Sequence, residues 1–165
     1  MNNKQIENRR ENGSDQARVE QDGKRVLKLG LDLIVDPDGK GLQTHWQKTV
    51  CSLLTGCIAH VLYRTLKENH PATLPSVDQL LSDPNKKVVE VWTEMLANTY
   101  FRGDANPLAA SAARDQLNRP IEEAGSVLST ALSYLTLYRV PIVVKNVRAA
   151  ISECATRDVM WNILA

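Results

Sequence analysis

The sequence predicts an all-α domain: a helical bundle of five to six helices that follows a flexible N-terminal tail. Apolar residues recur at three- and four-residue steps along most of the chain, which is the period of an amphipathic helix. Prolines and N-cap residues divide these stretches into helix-length units. Helices of this kind bury their apolar stripes against one another, so the pattern predicts one core shared by the whole bundle.

Composition limits the class of protein. The chain has 165 residues, of which 43% are hydrophobic and 24% charged, as expected of one globular domain. Its 20 basic and 19 acidic residues nearly cancel, so no global field concentrates nucleic acid or anionic lipid. None of the three cysteines forms a CxxC pair, which fits a reducing cytoplasm and argues against a disulfide framework.

No membrane span or export signal is expected. The longest stretch without Asp, Glu, Lys or Arg covers residues 49–63. At about 1.5 Å per residue, a helix of that length is shorter than the bilayer core of roughly 30 Å. The polar N-terminus also lacks the apolar core of a secretory signal. We therefore expect a cytoplasmic protein.

The chain divides into four regions. Residues 1–24 are polar and predict a flexible tail, because they offer little apolar surface to bury. Residues 25–43 are a linker or a short edge segment, in which Arg25–Val35 fits both a short strand and a helical turn. Residues 44–153 form the helical domain. The C-terminal segment, 154–165, fits no single assignment.

A long central helix is predicted from Thr44 to about Glu68. One apolar stripe runs along it, formed by Trp46, Val50, Leu53, Leu54, Cys57, Val61, Leu62 and Leu66. Gly56 interrupts this stripe at a propensity cost of roughly 1 kcal/mol, which a close approach by a neighbouring helix would explain. Trp46 and Trp92 both occupy apolar-stripe positions and are expected in the core.

Capping signals predict where the later helices begin. Ser76 and Gln79 form a capping-box pattern that opens a short helix to Leu81. Asp83-Pro84 predicts the start of a helix to about Asn98, and Asn106-Pro107 predicts the start of an alanine-rich one. Further helices are predicted from Pro120 to Tyr138 and from Pro141 to Ile151, the last with Val143, Val144, Val147 and Ile151 on one side.

Catalytic and ligand-binding patterns are absent from the sequence. It has no GxxxxGK[ST] loop to hold a nucleotide phosphate, and its three histidines form no HExxH motif. Ser126, Ser129, Thr130 and Ser133 have no histidine nearby in sequence to activate a hydroxyl. We therefore assign no catalytic residue, no cofactor and no metal ligand, and we expect no enzymatic activity from this chain.

Two segments resemble the TraG-like coupling proteins of conjugation and type IV secretion. The first is Ile34-Val-Asp-Pro-Asp-Gly-Lys-Gly41, followed by His45-Trp46, Leu53-Leu-Thr-Gly56 and His60-Val-Leu-Tyr63. The second, Gly125-Ser-Val-Leu-Ser-Thr-Ala-Leu-Ser-Tyr-Leu-Thr-Leu-Tyr-Arg139 with Pro141, is similar to a characteristic segment of that family. The resemblance covers residues 26–146. It departs at Val140, where the family pattern has Asp, and beyond Asn146.

The resemblance implies a fold, a location and a set of partners. In that family this region is a helical domain inserted into a RecA-like hexameric ATPase, at the cytoplasmic face of the inner membrane. It is associated with recognising relaxase and other secreted protein substrates. This chain resembles the insert without the ATPase motor, so the implied partners are a relaxase or another secreted protein, and a coupling-protein ATPase motor.

Together these features predict a non-enzymatic helical interaction module that recruits a substrate or relaxosome for conjugative DNA transfer. Loops and polar shoulders should carry the binding surface, because bundle interiors are used for packing. The expected partner-binding residues are Tyr100, Arg102, Asp104, Asn106, Asp78 and Gln79. Alternatives are a truncated remnant of a coupling-protein ATPase, a subunit completing such an ATPase in trans, and a nucleic-acid-binding helical domain. The last would contact DNA phosphates through the basic residues of the tail and through Arg114, Arg119 and Arg139.

Overall fold

A computed structural model describes residues 21–34, 41–68, 72–99, 103 and 105–155. The predicted tail over residues 1–20 and the last ten residues of the uncertain C-terminal segment lie outside these ranges. The α-helices are α1 (21–32), α2 (His45–Glu68), α3 (Leu74–Ser82), α4 (Val88–Ala97), α5 (Pro107–Asn118), α6 (Ile121–Leu135) and α7 (Pro141–Ala155). A 3₁₀ turn, Thr136–Arg139, connects α6 to α7. The described ranges contain no strand, which confirms the all-α prediction with one helix more than expected.

Helix α2 is the centre of the bundle. It contributes the largest group of core residues, which are Val50, Cys51, Leu53, Leu54, Cys57, Ile58, Ala59, Val61 and Leu62. Helices α3, α5 and α6 all pack against α2. The apolar stripe predicted for this helix is therefore confirmed from Val50 to Leu62. Trp46 is an exception, because its side chain is 46% exposed in the first turn of α2, where its neighbours in the chain are also exposed.

Gly56 marks the closest approach of two helices. A Cβ atom at this position would lie 2.2 Å from the Cβ of Ala112 and 3.0 Å from the carbonyl oxygen of Leu108, both in α5. Ala109, Ala112 and Ala113 are buried on the face of α5 that meets the core. The alanine-rich composition of α5 and the glycine of α2 thus serve one close contact, as the sequence predicted.

The residues after Arg25, for which the sequence allowed a short strand or a helical turn, belong to helix α1. They are helical, and the helix already includes residues 21–24, which the sequence assigned to the tail. Val26 is buried and lines an apolar cleft with Ile58 of α2 and Leu74 of α3. Gly30 lies against Thr55, which is about one helical turn closer to the N-terminus of α2 than Ile58. Helix α1 therefore runs antiparallel to α2.

Helix α6 runs parallel to α2. Near its start, Glu123 lies 4.0 Å from His45 at the start of α2. After its end, Arg139 of the 3₁₀ turn reaches Asp78 of α3. The end of the bundle that contains α3, the 3₁₀ turn and the C-terminal part of α2 is called the α3 end below. Both α1 and α7 begin at the α3 end.

Two predicted helix starts are wrong. Helix α3 begins at Leu74 and not at Ser76, because the Thr73 hydroxyl accepts the backbone N–H of Ser76 over 3.1 Å. Helix α4 begins at Val88, with Lys87 as its N-cap. Asp83, the predicted cap of that helix, instead accepts the N–H of Asn85 over 2.9 Å and forms a tight turn.

Other boundaries agree with the sequence. Asn106 caps α5 and Pro107 is its first residue, as predicted. Pro120 precedes α6 and Pro141 begins α7. Trp92 is buried at 4% exposure, in agreement with its predicted core position. No single helix among the described residues is long and apolar enough to span a membrane, although α6 with its 3₁₀ turn and α7 together pass that test as a bent pair.

Candidate partner-binding surface

The loop between α4 and α5 is closed at its base. Thr99 and Ala105 form an isolated antiparallel bridge, and the N–H of Asn106 donates to the carbonyl of Asn98 over 2.8 Å. Gly103 is exposed between them and has a φ of 84°, a left-handed conformation that glycine adopts at little cost. The two ends of the loop therefore meet at one narrow neck, formed by residues 98–99 and 105–106.

Asn98 fixes this neck to the central helix. Its side-chain amide Nδ2 donates to the carbonyl of His60 over 3.0 Å and lies 2.7 Å from Nδ1 of the same residue. Both residues are buried, with 7% and 3% exposure. A two-point contact thus holds the loop base against α2.

Asn106 is part of the buried loop base and does not belong to an exposed surface. It is 2% exposed, and its Oδ1 accepts the N–H groups of Leu108 and Ala109 at 3.1 and 3.3 Å. The sequence assigned Asn106 both an N-cap role and a partner-binding role, and its side chain is occupied by the capping contacts. Tyr100, Arg102 and Asp104, the other predicted binding residues of this loop, lie outside the described residues.

The second predicted binding segment is the exposed side of α3. Gln79 is exposed there, as a binding residue should be. Asp78 is not, because only 8% of its side chain is accessible. Its two carboxylate oxygens, Oδ1 and Oδ2, accept from Nε of Arg139 at 2.9 and 3.1 Å. The Nη2 atom of Arg139 also lies 2.9 Å from Oδ1. Asp78 therefore has a structural contact that joins α3 to the 3₁₀ turn.

The loop and α3 lie on different sides of α2. Ile58, Val61 and Leu62 line the cleft between α2 and α3, whereas His60 faces Asn98 at the loop base. At about 100° per residue, His60 projects some 200° from Ile58 and Leu62. The structure places the two predicted segments at similar heights along α2 without bringing Asp78 and Asn106 together.

The buried thiols are poor nucleophiles. Cys51 and Cys57 are both buried in α2. Burial raises the pKa of Cys57 to about 12, and it raises the pKa of Cys51 as well, against a smaller opposing effect of the Thr55 hydroxyl. Within the described ranges, no group of three or more His, Cys, Asp or Glu residues is arranged to hold a metal ion.

The segment Gly125–Arg139 owes its pattern to packing. Val127, Ala131 and Leu135 are buried at four-residue intervals along α6. Between them, the hydroxyls of Ser126, Thr130 and Ser133 donate to backbone carbonyls of their own helix. Arg139 completes the segment with its ion pair to Asp78. The sequence did not reveal this pair, because its two residues are 61 positions apart and follow no local spacing.

The chain belongs to the family of type IV secretory system conjugative DNA transfer proteins, which it matches over residues 15–160. The resemblance found in the two sequence segments is thereby confirmed.

Two proteins of Escherichia coli, both named conjugal transfer protein TraG, are among the relatives. One is 59% and the other 56% identical to this chain over 115 residues, which is 70% of the chain. The chain spans only 18% of the length of either relative. No solved structure matches the chain.

Proposed function

We propose that this chain is a non-enzymatic interaction module that recruits a relaxase, or another secreted protein substrate, for conjugative DNA transfer. The observation that carries the proposal is the anchored α4–α5 loop in a chain of the conjugative DNA transfer family. A loop fixed at both ends loses less conformational freedom on binding than a free one, which favours affinity. Beyond this neck the sequence contains two charged residues, Arg102 and Asp104.

One feature of the sequence and two of the structure support the non-enzymatic part of the proposal. The chain has no phosphate-binding GxxxxGK[ST] motif in its sequence. The thiols of Cys51 and Cys57 are held neutral in the core. The hydroxyls of Ser126, Thr130 and Ser133 in α6 donate to carbonyls of their own helix. A role in binding uses the α4–α5 loop and the exposed side of α3, and it needs none of these groups to react.

DNA binding is the less supported alternative. Of the three arginines that could contact phosphates, Arg119 is paired with Glu123 and Arg139 with Asp78. Only Arg114 of these three is an exposed helix residue with no ion pair among the described contacts. A DNA-binding surface would need several free cations, because each phosphate contact adds to affinity.

The proposal is tested by calorimetric titration of the folded chain with the relaxase encoded by the same genetic element, at two salt concentrations. We expect a dissociation constant on the order of micromolar that changes little between the two salts. A duplex oligonucleotide serves as the comparison titrant. Tight binding to the duplex that weakens steeply with salt would support the DNA-binding alternative. Absence of relaxase binding would contradict the recruitment role.

A further inference from the structure

Two asparagines flank the α4–α5 loop, and their side chains make different contacts. Asn98 is the C-cap of α4, and Asn106 is the N-cap of α5. The side chain of Asn106 accepts backbone N–H groups of its own helix. The side chain of Asn98 instead reaches α2, where its Nδ2 donates to the carbonyl of His60 over 3.0 Å. Asn98 is thus the flanking asparagine that joins the loop base to the central helix.

The position of Asn98 is a costly one for a polar side chain. Asn98 is buried, and its carboxamide oxygen Oδ1 has no hydrogen-bond partner among the described residues. A buried acceptor without a partner lowers stability, because it loses its hydrogen bonds to water and gains none in return. An apolar side chain would avoid this cost but would offer no donor to the carbonyl of His60. Local features that lower the stability of a fold are expected at functional sites.

The neck itself is a weak structure. It consists of the isolated bridge between Thr99 and Ala105 and of the backbone hydrogen bond from Asn106 to Asn98. Two paired segments this short are not stable by themselves in water. Among the described elements, α4 packs mainly on α5, which is the helix at the other side of the neck. The order of the neck therefore depends on the additional contact that Asn98 makes with α2.

We propose that Asn98 is a positioning residue for partner binding, which orders the neck before a partner arrives and does not touch the partner itself. This inference rests on the proposed function of the α4–α5 loop. When the neck is ordered in advance, binding does not have to supply the entropy of ordering it, so affinity is higher. Without the amide of Asn98 the same loop side chains remain, but the neck adopts more conformations and affinity falls.

The first test is N98A, which removes the amide and keeps the backbone of the neck. We expect calorimetry to show relaxase affinity reduced roughly tenfold, as for the release of one or two backbone residues. The amide of Asn106, which donates to the carbonyl of residue 98, should exchange with solvent roughly tenfold faster, while the amides of α2 keep their protection. The matched control is R139A, which removes an ion pair at the α3 end and should bind relaxase as wild type does.

A covalent neck separates positioning from any other role of Asn98. Thr99 and Ala105 face each other across the bridge, where Cα atoms are about 4.5–5.5 Å apart, within the range that a disulfide spans. In N98A/T99C/A105C, oxidation should restore most of the lost relaxase affinity, and reduction should remove this gain. Cys154 is replaced by serine in every protein of the series, and the other two native cysteines are buried in α2.

Three results would overturn the proposal. Wild-type affinity in N98A would show that Asn98 does not affect binding. A loss of affinity that oxidation of the neck does not reverse would indicate that Asn98 contacts the partner directly. Protection lost in α2 as well as at Asn106 would make Asn98 a residue of the core. Absence of relaxase binding by the wild-type chain would instead contradict the proposed function, and exchange at Asn106 would still report whether Asn98 orders the neck.

Discussion

At the scale of single residues, the clearest constraint is the absence of a side chain at Gly56. Helix α5 lies so close that an added Cβ would meet the Cβ of Ala112 and the carbonyl of Leu108. Backbone atoms cannot move aside as a flexible side chain does. The glycine therefore trades helix propensity for a close contact between the two helices at the centre of the core.

Substitution by alanine should therefore have opposite effects on stability at Gly56 and at Gly125. G56A gains about 1 kcal/mol of helix propensity but overpacks the α2–α5 contact, so we expect a net loss of about 1–2 kcal/mol in the free energy of unfolding. G125A is the matched control, because Gly125 is exposed within α6 and its added Cβ would meet nothing within 4 Å. It should stabilise the protein by about 0.5–1 kcal/mol. Urea unfolding measures both, and a G56A protein as stable as G125A would contradict the close approach.

At the scale of elements, the ion pair between Arg139 and Asp78 joins α3 to the turn between α6 and α7. The carboxylate of Asp78 is nearly buried and is contacted by two nitrogens of the same guanidinium. Removing Arg139 would leave this carboxylate without its charged partner in a place with little water. The pair thereby sets the position of the corner from which α7 departs.

We expect R139A to lower the free energy of unfolding by about 1–3 kcal/mol, since it removes charge-assisted hydrogen bonds to a buried group. R139K keeps the charge but loses the fork geometry, so its stability should fall between wild type and R139A. The control is K28A, which removes the exposed pair of Lys28 with Asp32. That change should stay within about 0.5 kcal/mol of wild type. Chemical denaturation would contradict the account if R139A and K28A were equally mild.

The elements also show which features the sequence could predict. The stripe from Val50 to Leu62 and the cap at Asn106 depend on residues within a few positions of one another, and both were predicted correctly. Local signals failed where two candidates competed, as Thr73 did with Ser76 for the start of α3. Trp46 fits the stripe by period, but it lies in the first turn of α2 and is 46% exposed there.

The candidate binding surface was less predictable than the fold. The loop between α4 and α5 was chosen for its composition, and Asn106 was included among its partner-binding residues. Its contacts and those of Asn98 show that these two asparagines hold the loop base. The contact of Asn98 with His60 joins residues 38 positions apart. No periodicity in the sequence indicates such a pair, since it depends on how the helices pack.

At the scale of the whole molecule, the described helices share one continuous core centred on α2. Helices α3 to α6 and the 3₁₀ turn surround this core, while α7 extends from the α3 end. In this arrangement the base of the α4–α5 loop is held to α2 by the buried side chains of Asn98 and His60. We therefore place the proposed partner-binding role at the α4–α5 loop.

The measurement that most directly tests this assignment is relaxase binding by a loop variant. In R102A/D104A the charged side chains of the loop are removed, and the anchor formed by Asn98 and His60 is retained. The matched control, R114A/D115A, removes an exposed arginine and aspartate from α5. Circular dichroism of both variants should equal that of wild type.

Calorimetry should show relaxase affinity reduced by roughly tenfold in R102A/D104A, which corresponds to about 1.4 kcal/mol of binding free energy. The control should bind as wild type does. Wild-type affinity in R102A/D104A, or an equal loss in R114A/D115A, would contradict the claim that the α4–α5 loop is the recruiting surface.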